Sequence, residues 1–136
     1  MTNESLARSY LRKASDRLEI LDVLLRKGAY SDVVREAQEL VELALKGMLR
    51  AIGIEPPKLH DVGDLLLEHR GRFSEELRGT LGALAEISKE LRKNRELAFY
   101  GDVDFIPTEK YSLQEAQKAR AGAAKVLDVA QRVIQP

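Results

Sequence analysis

Ser31-Asp32-Val33-Val34-Arg35-Glu36-Ala37-Gln38-Glu39-Leu40-Val41-Glu42-Leu43-Ala44-Leu45-Lys46-Gly47-Met48-Leu49-Arg50-Ala51-Ile52-Gly53 puts an apolar residue at every third or fourth position. Val34, Ala37, Val41, Ala44, Leu45, Met48 and Ile52 therefore fall on one side of a helix with 3.6 residues per turn. Ser31 is suited to cap its start, with Asp32 in the first turn, and Gly53 to stop it. Upstream, Leu6, Tyr10, Ala14, Leu18, Leu21 and Leu25 predict another helix from Ser5 to Lys27. Gly28 closes it, and Arg26 and Lys27 sit at the negative end of the helix dipole. So short a connection between two long helices predicts an antiparallel hairpin.

Downstream, Ile54-Glu55-Pro56-Pro57-Lys58-Leu59-His60 reads as a loop, because paired prolines cannot continue a helix. A short helix is expected from Val62 to Glu68. Ser74 should cap a longer one, with Leu77, Leu81, Leu84, Ile87 or Ser88, and Leu91 on one face. Tyr100 to Lys110 reads as a loop. Ser112-Leu113-Gln114-Glu115 is a capping box that opens a last helix, with Leu113, Ala116, Ala119, Ala123, Val126, Ala130 and Val133 inward. The class is all-α.

The 136 residues match one domain, residues 1–136, large enough to fold without disulfide or metal. With no cysteine, thiol nucleophiles and cysteine-based metal sites are excluded; two histidines nine residues apart argue against a His-rich one. No metal and no cofactor is expected. Apolar runs stay far below the roughly 20 residues needed to cross a bilayer. Met1-Thr2-Asn3-Glu4-Ser5 lacks the basic start and apolar core of a secretion signal, so a cytoplasmic protein without membrane partners is expected. Lys plus Arg and Asp plus Glu are 22 each, so any contact with nucleic acid must come from a local patch.

Lys89-Glu90-Leu91-Arg92-Lys93-Asn94-Arg95 is the most basic stretch, with four cations against one anion. Extending the apolar stripe past Leu91 reaches Asn94 and Arg95, then Ala98. A guanidinium beside an apolar stripe requires a partner or an open groove. Either Arg95 pairs with a carboxylate such as Asp102, Asp104 or Glu42, or it faces a groove that accepts phosphate. Arg92, Lys93 and Asn94 are the accompanying phosphate-binding candidates. Gln38, Glu42 and Lys46 recur at i, i+4 and i+8 on one helix face. They form either a solvated ladder or an inward set in which Gln38 and Glu42 hold Arg95 or the His60 loop. His69 reads as a surface residue near a helix end.

Several of these segments fall in an order that resembles the HEPN domain family. They are Gly28-Ala29-Tyr30, the Gln38 to Leu49 helix with its Gln-x-x-x-Glu-x-Ala-x-Lys core, Pro57-Lys58-Leu59-His60-Asp61 at the entry to the third helix, and Arg95-Glu96-Leu97-Ala98-Phe99-Tyr100. The resemblance covers nearly the whole chain. It implies an up-and-down bundle of four to five helices that commonly forms a homodimer around a cleft. Many members are metal-independent ribonucleases, with an Arg followed four to six residues later by a His. Small members often partner a minimal nucleotidyltransferase in a toxin-antitoxin-type pair.

Here Arg95 is present, but Tyr100 stands where the His is expected and Glu96 where an Asn often follows the Arg. A histidine near pKa 6.5 suits proton transfer at neutral pH, whereas an unperturbed tyrosine is only about one part in a thousand ionised. Efficient ribonuclease activity by the family route is not expected. By the same resemblance His60 is structural, orienting its loop; on the inward reading of the Gln38 face, which borders the Ala37-Val41-Ala44 stripe, Glu42 orients other groups rather than catalysing. Three functions compete. The first is a nucleotide- or RNA-binding or partner module with a degenerate ribonuclease motif. The second is an active ribonuclease using Arg95 and Tyr100; in a nucleotidyltransferase pair Tyr100 could instead be the residue adenylylated. The third is a purely structural helical dimer.

Overall fold

The computed structural model describes residues 3–56, 58 and 61–135, the side chain of Glu96 excepted. Four long helices form a bundle: α1 (Asn3–Arg26), α2 (Tyr30–Ala51), α4 (Glu75–Phe99) and α6 (Leu113–Ile134). The shorter α3 (Val62–Glu68), a 3-10 turn (Arg70–Arg72) and the one-turn α5 (Pro107–Lys110) fill the connections. The described residues contain no strand, so the all-α expectation holds.

α2 is the central element. Leu40, Leu45, Met48, Leu49, Val33 and Val41 are fully buried, and only a stripe from Arg35 through Glu39 to Lys46 is left toward solvent. α1, α4 and α6 surround the rest of it. The order alternates in direction: Glu36 meets Arg17 while Gly47 meets Ala7 and Tyr10, so α1 and α2 are antiparallel. Each fully buried leucine contributes about 1.5–3 kcal/mol of transfer free energy, so α2 organises the core.

The α1–α2 hairpin closes by a hydrogen-bond pattern that its glycine permits. Gly28 has φ 75; its N–H donates to Leu25 O at 3.0 Å, and the Ala29 N–H donates to Leu24 O at 3.0 Å. This is a Schellman ending, and Gly53 repeats it at the end of α2. α3 keeps its expected bounds, with the Asp61 carboxylate accepting from the Gly63 N–H at 2.9 Å. The Ser112 capping box is complete, and its Glu115 side chain returns to the Ser112 N–H at 3.0 Å.

Four local expectations need correction. Ser31 does not cap α2: the helix begins at Tyr30, because the Gly28 turn delivers the chain directly into it, and Ser31 is buried in the first turn. The buried edge of α1 runs through Ala7 and Leu11, leaving Leu6 exposed, since two adjacent apolar faces were equally compatible with the spacing. Leu113 is exposed because the first turn of α6 projects beyond the core. The stretch from Tyr100 to Lys110 is not loop throughout: Pro107 starts α5, as its fixed φ and missing N–H suit a first helical position.

Candidate functional site

α4 lies antiparallel to α2, with Phe99 beside Arg35 and Arg95 beside Glu39. At 100° per residue, Arg92, Arg95 and Phe99 share one flank of α4, along the solvent-facing stripe of α2. Arg95 Nη2 donates to Glu39 Oε1 at 3.3 Å. The same oxygen lies 3.7 Å from Arg35 Nη1, so one carboxylate serves two guanidinium groups. Arg35 also pairs with Glu36 at 3.4 Å and lies 4.8 Å over the Phe99 ring. Arg92 reaches Asp61 at 3.6 Å, tying α4 to the start of α3.

The Arg95 side chain remains 48% exposed. Its partner is Glu39, not Asp102, Asp104 or Glu42. Because a surface pair of this kind stabilises the fold by under about 1 kcal/mol, an incoming phosphate can displace the carboxylate at small cost. The guanidinium is therefore reachable rather than sealed inside.

Glu42 does not hold Arg95. Its carboxylate stands 3.8 Å from Lys46 and accepts from Gln38 Nε2 at 3.4 Å, one helical turn in each direction. These local partners are within reach without any tertiary contact. Gln38 is buried, as the inward alternative required, and among the described residues nothing donates to its amide oxygen. His60 lies outside the described residues.

Asn94 takes the opposite flank of α4. It faces a groove of about 620 Å³ between α4 and α6, floored by Val34, Leu91 and Ala119. There it accepts from the Tyr111 hydroxyl at 3.3 Å, and its own amide donates to Glu90 O at 3.1 Å. Burial, with Glu115 adding to it, raises the Tyr111 phenol above its ordinary pKa, so it stays a donor. Lys93 projects outward and is exposed.

Tyr100 follows the last residue of α4 and is 79% exposed. Its ring meets Phe99 edge to face, with centroids 4.7 Å apart and planes at 79°. Among the described residues its hydroxyl has neither a hydrogen-bonded base nor a bond to Arg95. The structure thus joins Arg95 to Arg92 on one flank, places Tyr100 at its end, and separates Asn94 from them. Glu39, Arg35 and Phe99 were missed by sequence reasoning. The i, i+4 spacing of Arg35 and Glu39 was a usable signal; their meeting with α4 was not visible.

Among the described residues no cluster of His, Asp or Glu could hold a metal, and no helix is long and apolar enough to cross a membrane. In comparisons with known proteins, no curated protein and no solved structure matches the chain. A family model, the HEPN domain, matches residues 7–133. That match spans all four long helices and the Arg95 ridge, and the chain belongs to the HEPN domain family.

Proposed function

We propose that this chain is an RNA- or nucleotide-binding HEPN module, anchored at Arg95 and weak or inactive as a ribonuclease. Family membership supports an RNA-related role in general. The observation carrying the finer reading is the half-exposed Arg95 guanidinium, held by one exchangeable carboxylate. Arg92 stands one turn away on the same flank, and Lys93 adds a solvated charge beside them. Guanidinium groups recognise phosphate through paired, charge-assisted hydrogen bonds.

Weak nuclease activity follows from the other end of the ridge. Attack by a ribose 2′-hydroxyl needs a group that takes its proton. Tyr100 is the candidate at that position, and no neighbouring base activates its hydroxyl among the described residues.

The test is fluorescence anisotropy with a labelled single-stranded RNA, alongside a cleavage assay on the same strand. Wild type should bind and Arg95→Ala should bind several-fold more weakly, with little cleavage by either. Equal binding by both proteins removes the reading; rapid cleavage abolished by both Arg95→Ala and Tyr100→Phe favours the ribonuclease instead.

A partner role is the second reading. Val103 and Ile106, exposed in the connection between α4 and α6, favour a protein contact. A second copy of the chain, or a minimal nucleotidyltransferase, is the partner the family suggests. Light scattering and a pull-down with such a nucleotidyltransferase test it; a monomer that captures nothing removes it.

A further inference from the structure

The Arg95 flank ends in an aromatic pair that electrostatics alone leaves unexplained. Phe99 is held in place: the Arg35 guanidinium covers its ring at 4.8 Å, and Arg35 is itself fixed by Glu36 and Glu39 at 3.4 and 3.7 Å. Tyr100 stands against Phe99 at 79° and is the outermost ring, 79% exposed. The chain leaving it is braced as well. Asp102 and Phe105 exchange backbone hydrogen bonds, both at 3.0 Å, and the Asp102 carboxylate accepts from the Val103 N–H at 2.7 Å. A large aromatic face is thus presented to water on a supported base.

Phe99 lies one turn beyond Arg95 on the same flank of α4, about 6 Å along the axis, and the Tyr100 ring stands 4.7 Å from the Phe99 ring. An exposed ring beside cations is how single strands are held without sequence preference: the cation tracks the backbone and the ring stacks a base. A duplex conceals its base faces, so only an unpaired base can use the ring.

The geometry points to Tyr100 as a stacking platform for an unpaired base of single-stranded RNA, whose adjoining phosphate Arg95 holds. This rests on the RNA-binding reading above and adds the substrate class and a second contact. Here Tyr100 acts through its ring face, so its hydroxyl is dispensable.

The experiment compares a labelled oligoadenylate 12-mer with an abasic strand of equal length, which keeps the phosphates and lacks the bases. Wild type should bind oligoadenylate about five-fold or more tightly than the abasic strand. Tyr100→Leu should erase that preference and Tyr100→Phe should keep it. Arg95→Ala should weaken both strands. Tyr100 is exposed, so neither substitution at it threatens the fold. Equal binding of the two strands by wild type, or an unchanged preference in Tyr100→Leu, overturns the stacking inference while a loss in Arg95→Ala preserves the phosphate site. If Arg95→Ala loses nothing, the binding reading itself fails. Tyr100→Leu that disrupts self-association by light scattering, with RNA binding intact, makes the ring a protein contact and also overturns the inference.

Discussion

Two glycine-to-alanine substitutions should shift stability in opposite directions, and the packing of α3 on α4 explains why. Gly63, the second residue of α3, is buried; a Cβ there would stand 2.9 Å from Ala85 Cα and 3.2 Å from Ala85 Cβ. Carbon atoms pack best at about 3.5–4.0 Å, so α3 would have to retreat by roughly 0.5–1 Å from a backbone that cannot yield. Overpacking of this kind costs about 1–3 kcal/mol, and the first turn of a short helix recovers little of it. A net loss of about 1–2 kcal/mol is expected for Gly63→Ala. Gly79 lies inside α4, exposed, with nothing within 4 Å of the added Cβ. There alanine should stabilise by about 0.5–1 kcal/mol. With a urea slope near 2 kcal/mol per molar, the two midpoints should differ by roughly 1 M. If Gly63→Ala rises together with Gly79→Ala, α3 is not pressed against α4. Asp61 would then lose its reason to stand where Arg92 meets it.

Leu45, fully buried in α2, should cost about 2–5 kcal/mol as Leu45→Ala, read by thermal or urea unfolding. Ser112→Ala removes one half of the capping box and should cost about 0.5–2 kcal/mol, while leaving RNA binding unchanged by anisotropy. Asp22 accepts from Arg120 at 2.9 and 3.3 Å, and that hydrogen-bonded guanidinium lowers its pKa from 3.8. A carboxylate with a depressed folded pKa stabilises above the unfolded value and loses this as pH falls through the folded one. Asp22→Asn should therefore be less stable than wild type at pH 7, by under about 1 kcal/mol for so exposed a pair, and the difference should shrink as pH falls past 3.8 and vanish once it is below the lowered folded value.

What could be read from the sequence was local. α3 and the capping box are written in neighbouring residues, and both stand where the spacing placed them. The hairpin is fixed by Gly28, whose turn needs no distant partner. Errors arose where a choice depended on other elements. The pattern of α1 fitted an edge through Leu6 as well as one through Ala7 and Leu11, and only the packing of α2 and α6 selects between them. Asn94 and Arg95 are adjacent in the chain, yet a 100° turn sends one toward Tyr111 and the other toward Glu39. No spacing rule brings Glu39 to Arg95 across 56 positions. The site was legible as a basic stretch, but its geometry belongs to the approach of α4 to α2.

Salt dependence of RNA binding reaches the Arg95 assignment most directly. Each phosphate neutralised on a single strand adds about 0.7 to the slope of log K against log salt. Arg95→Ala should lower affinity for a single-stranded 12-mer and reduce that slope by roughly 0.7 relative to wild type. Identical slopes and affinities in the two proteins would mean that the guanidinium meets no phosphate, and that its pairing with Glu39 is its whole role.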